Sequence, residues 1–132
     1  MKYAAAYAMT LTVLLVLDLL WLGVVARPMY QQGIGHLMAE NANFRAAVVF
    51  YLVYVLGLLQ FGLVPNVAAP GVARAALSAA IFGFFVYASY DLTNMAVLKD
   101  WPLQLALIDM IWGTFVSAVS TVAGKAVFDR LS

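Results

Sequence analysis

The sequence predicts an all-α integral membrane protein, a four-helix up-down bundle, and three observations carry that prediction. Of 132 residues, 66% are hydrophobic and only 10% charged, whereas the water-facing surface of a soluble domain needs about a quarter charged residues. The apolar residues gather into four runs of about 20 residues or more, long enough at about 1.5 Å per residue to cross a core of about 30 Å. Turn chemistry separates the runs, and two of the three links are short, which makes sequential helices antiparallel neighbours.

The first span is expected over about 4–26, ending at Arg27-Pro28. It is longer than the apolar core of a cleaved signal and contains Asp18, so it is expected to stay as a membrane span. The second runs over about 44–64, between the cap candidates Asn41 and Asn43 and the breaker Pro65-Asn66. The third covers about 74–98, after Pro70-Gly71. The fourth covers about 101–128, with Asp100 as the expected N-cap and Pro102 in the first turn. The link over 27–43, "RPMYQQGIGHLMAENAN", is long for a tight bundle; Ile34, Leu37 and Met38 fall at helical spacing and predict a short helix on the membrane surface. With the N-terminus inside, Lys2, Arg74, Lys125 and Arg130 are cytoplasmic, against Arg27, Arg45 and Lys99 outside, so both termini are expected in the cytoplasm.

Composition also removes whole function classes. There is no cysteine, which excludes thiolate chemistry and disulfides, and a single histidine, His36, which removes the usual His-rich metal clusters. The net charge is +1 with no basic run, so nucleic acid is not an expected partner. The cofactor stays unknown; the expected partners are the lipid bilayer and a small cation, a proton or an apolar small molecule.

Three of the six acidic residues, Asp18, Asp91 and Asp109, lie inside spans. Each costs about 2.5 to 3.5 kcal/mol near a helix centre, so such residues face a bundle interior or a wet cavity. Asp18 is nine residues before Arg27, Asp91 eight before Lys99, and Asp109 eight after Trp101. These anchors share one membrane face, so the carboxyls are expected about 12 to 14 Å below it. Tyr54, nine residues after Arg45, is expected at the same level. Tyr87, Asp91 and Asn94 form one stripe of the third span, and Tyr51 and Tyr54 lie a turn apart on the second. "LDLLWLG" and "IDMIWGT" each set a Trp one turn after the Asp, Trp21 and Trp112, which would make an aromatic wall with Tyr87 and Tyr90. The candidate site is therefore Asp18, Asp91, Asp109, Tyr54, Asn94, Tyr87, Trp21 and Trp112. Three carboxyls so placed, without Lys or Arg at their depth, cannot all ionise in a poorly hydrated space; one or two would hold protons and titrate as a coupled set.

The motif "YDLTN" in the third span, followed by Trp101-Pro102 and Asp109-x-x-Trp112-Gly113, resembles a family of small bacterial four-helix membrane proteins catalogued only as a domain of unknown function. The likeness extends to Asp18-x-x-Trp21-Leu22-Gly23. It implies four spans and a bacterial inner-membrane location, and it brings no activity with it.

The leading functional expectation is proton- or cation-linked transport or conduction of a small solute. Gly113, Ser117 and Thr121, repeating every four residues, would allow a homo-oligomer or serve packing within one chain. The alternatives are a membrane-embedded acid/base enzyme acting on a lipid or isoprenoid, and a small-molecule binding or sensor protein using the same pocket. Against all of these stands the reading that protonated Asp, Asn and Tyr merely hydrogen-bond the helices together.

Overall fold

The computed structural model describes all 132 residues, and they form four long helices in an up-down bundle with a short helix across one end. Span one is α1 (Lys2–Leu20), extended by a π-helical turn over Trp21–Val25. The short α2 (Arg27–Ile34) follows and ends in a 3₁₀ turn, Gly35–Leu37. Span two is α3 (Phe44–Leu58), extended through a π turn (Leu59–Leu63) and a 3₁₀ turn (Val64–Asn66). Spans three and four are α4 (Ala73–Val97) and α5 (Leu103–Arg130). The four long helices are apolar enough to cross a membrane, with mean hydropathies between 1.4 and 2.3. Only 29 of the 132 residues are buried, and large side chains such as Leu19, Val53, Phe85 and Ile111 lie open on the exterior. Lipid, not water, is the solvent such a surface matches.

Local chemistry sets the helix ends. The Asn43 side chain caps α3 by accepting from the Ala46 amide at 3.1 Å. Pro28 opens α2, where its missing N–H costs nothing. Gly71 turns the chain into α4 with a φ of +71°, a conformation that disfavours side chains. Asp100 does not cap α5 as expected: Pro102, in extended conformation, occupies that position without a side-chain cap, and the Asp100 carboxylate instead meets His36 Nε2 at 2.9 Å. The helix expected around Ile34, Leu37 and Met38 starts earlier, at Arg27. Of those three residues only Ile34 is buried, because α2 ends at Gly35 and leaves the next residues facing out.

The expected small-residue stripe is used inside the chain. Ser117 and Thr121 are fully buried, and a Cβ on Gly83 would run into Ser117 and the Gly113 carbonyl. Gly113 lies under the Tyr87 ring, and Gly124 meets Thr10 of α1. The helix backbones of α1, α4 and α5 approach closely through these positions, as small residues permit in a membrane. Leu14, Val55, Leu58, Leu63 and Val116 fill the rest of the core.

Candidate functional site

Asp18 lies seven residues before Val25, Asp91 six before Val97, and Asp109 six after Leu103. All three therefore sit roughly 9 to 11 Å below the bundle end that carries α2. On α3 the residue at that level is Tyr51, seven positions after Phe44; Tyr54 lies nearly one turn deeper. Depth counted from Arg45 brought Tyr54 level, but the other three helices end two residues inside Arg27, Lys99 and Trp101 while α3 starts one residue outside Arg45, so Tyr51 is level instead.

Each carboxyl has aromatic donors. Asp18 accepts from the Tyr51 hydroxyl and, at 3.0 Å, from Trp112 Nε1. Trp112 is stacked on Trp21, with ring centroids 4.5 Å apart and planes 5° from parallel, so the indole is held in place to donate. Asp109 accepts from the Tyr30 hydroxyl at 2.6 Å, within the range of charge-assisted hydrogen bonds. Tyr30 belongs to α2, outside the spans. Burial, and then the adjacent Asp109, push its phenol well above the ordinary value, so it remains a neutral donor. Asp91 is fully buried; Trp101 Nε1 donates to its Oδ1 at 3.3 Å, its Oδ2 has no partner, and Asp109 is the titratable group beside it.

Asp18 and Asp109 face a chamber of about 320 Å³. Four phenols line it, Tyr30, Tyr51, Tyr87 and Tyr90, and Trp21, Leu22, Phe50 and Val86 complete the wall. No Lys, Arg or His is among the lining residues. Leu22, Phe50 and Tyr90 are exposed on the exterior, so the rim is apolar and aromatic. On the inner side Tyr54 is bonded to Ser117, and the fully buried Leu14, Val55, Leu58 and Val116 close the bundle below it. Above, α2 is held by the Tyr30–Asp109 bond, by Gly33 against Pro102 and Leu105, and by the exposed His36–Asp100 pair.

Of the eight residues proposed from sequence, Asp18, Asp109, Tyr87 and Trp21 line the chamber and Trp112 stands directly behind it. Asp91 is set back from the wall, between Trp101 and Asp109. Tyr54 lies beneath. Asn94 does not line the chamber; its side chain stands beside Tyr90, one of the phenols that do. Sequence reasoning missed Tyr30, Phe50 and Trp101 as parts of the site. The unusual length of the 27–43 link was the one signal for Tyr30: a segment that long reaches back over the bundle.

No curated protein and no solved structure matches this chain significantly. The model of the family described as "Predicted membrane protein (DUF2177)" matches residues 3–126, nearly the full length, and the chain belongs to that family.

Proposed function

We propose that this membrane protein binds an amphipathic organic cation in the chamber between its helices, with the positive head group on Asp18 and Asp109. The observation that carries the reading is two carboxyls, each held by aromatic N–H or O–H donors, facing one chamber with no basic side chain in it. Donated hydrogen bonds stabilise the ionised form of a carboxylate, and a negative pair in a medium of low dielectric needs a cation as its complement. The walls fit the same ligand. Trp21, Tyr87, Tyr90 and Phe50 present ring faces and edges of the kind that recognise ammonium groups. The exposed apolar rim suits a tail lying in lipid.

Transport of such a cation would require a continuous path to the other face. Beneath the chamber the fully buried Leu14, Val55, Leu58 and Val116 pack tightly around the Tyr54–Ser117 pair, which supports a closed pocket instead, so binding is the function the geometry favours. We read the protein as resident in a bacterial inner membrane with both termini cytoplasmic, on the family resemblance and the distribution of Lys and Arg. The chamber then lies near the periplasmic face.

The test is titration of the purified full chain in nonionic detergent with octyltrimethylammonium, followed by tryptophan fluorescence, with octanoate and octyl glucoside as anionic and neutral controls. Saturable binding of the cation alone, weakened tenfold or more by Asp18→Asn and by Asp109→Asn, supports the reading. Equal binding of octanoate, or cation binding indifferent to both substitutions, overturns it.

A further inference from the structure

We propose that Asp91 and Asp109 hold one proton between them and release it when a cation occupies the chamber, so that the site exchanges a proton for its ligand. The inference rests on the cation-binding reading and adds a second, unseen participant to it. Its starting point is Asp91, which the chamber does not use. A fully buried carboxyl with an unpartnered Oδ2 is costly as an anion. Protonated, the same oxygen becomes a donor, and its neighbour Asp109 is an acceptor.

The surroundings leave that pair no other counter-charge. From α5 comes Asp109; from α2, the Tyr30 phenol, which donates to Asp109 rather than accepting. On α4 itself are Tyr87 and Tyr90, across the chamber stands Asp18 with Tyr51, and Trp101 offers a neutral N–H. None of these groups brings a positive charge. Two adjoining carboxyls in such a place share a proton because they cannot both ionise. A positive head group beside Asp109 stabilises the second carboxylate, and the proton then departs to solvent. No bond other than the O–H is broken, and the charge in the site is the same before and after: one cation in, one proton out. Reciprocity requires that protons, in turn, compete with the cation.

The experiment measures proton release directly. Octyltrimethylammonium is added to the full chain in weakly buffered detergent solution with a pH indicator, and its affinity is measured from pH 5 to 9. Expected are the release of up to one proton per ligand bound and an affinity that rises by up to tenfold per pH unit while the pair is protonated. Asp91→Asn, which keeps the shape of a protonated carboxyl, should bind the cation with no proton release and a flat pH profile. Wild-type binding at constant affinity across this range, without released protons, overturns the exchange and leaves the binding reading standing. Absence of cation binding overturns both. Because the wild-type measurement decides the matter, a variant that fails to fold does not shield the proposal.

Discussion

Replacing Gly113 by alanine is the sharpest test of how the chamber wall is built. A Cβ at this position would overlap the Tyr87 ring at Cγ and both Cδ atoms. Turning the ring about its Cβ–Cγ bond leaves the Tyr87 Cγ where it is, so relief requires a new χ1 rotamer for Tyr87 or separation of α4 from α5. Overpacking of this kind costs about 1 to 3 kcal/mol. Against it stands the helix preference of alanine over glycine, worth about 1 kcal/mol. The net loss for Gly113→Ala is therefore up to about 2 kcal/mol, read as a lowered unfolding midpoint by tryptophan fluorescence. The decisive comparison is the same substitution in a Tyr87→Ala background, where the ring is absent and only the helix preference remains. There Gly113→Ala should stabilise by about 0.5 to 1 kcal/mol, so the sign reverses. An effect of the same sign and size in both backgrounds would refute the claim that Tyr87 rests on Gly113. In the single variant the displaced ring should also weaken octyltrimethylammonium binding, since Tyr87 lines the chamber.

The remaining predictions concern the two ends of the bundle. Tyr30 has a phenol whose proton affinity is higher folded than unfolded, so its stabilising contribution is complete below the unfolded value of about 10 and is lost as pH rises beyond it; wild type should lose stability relative to Tyr30→Phe above about pH 10, measured by melting from pH 8 to 11.5. Lys125, only 1% exposed, holds both Asp129 oxygens at 2.7 Å and the Ala69 carbonyl at 3.3 Å. Asp129→Ala strands a buried ammonium and should cost about 3 kcal/mol, more than Lys125→Met, whose freed Asp129 is exposed enough to hydrate; equal losses in chemical denaturation would count against this asymmetry. His36→Ala removes an exposed ion pair and should change the unfolding free energy by less than about 1 kcal/mol.

The sequence by itself determined the solvent and the architecture. Four runs of apolar residues, each longer than a membrane is thick, leave little choice about secondary structure, and the breakers Arg27-Pro28, Pro65-Asn66 and Pro70-Gly71 mark where the chain must turn. That Asp18, Asp91 and Asp109 share one level was legible too, because rise per residue is a local property of any helix, although the helices end two residues inside the charged anchors and the carboxyls lie correspondingly nearer the bundle end than expected. What only the tertiary structure decided is which oxygen meets which donor. The spans carrying the three aspartates end two residues inside their anchors Arg27, Lys99 and Trp101, while α3 starts one residue outside Arg45, and that three-residue offset puts Tyr51 rather than Tyr54 at the level of Asp18. Tyr30 reaches Asp109 across 79 positions of sequence, through a helix whose placement depends on Gly33 fitting against Pro102. Asp91 and Asp109 looked alike in the sequence, yet one is sealed behind Trp101 and the other faces the chamber. Rotation of each helix about its axis sets that difference, and rotation is fixed by the close passages at Gly83, Gly113 and Gly124, where backbones meet and only the assembled bundle shows which face is inside.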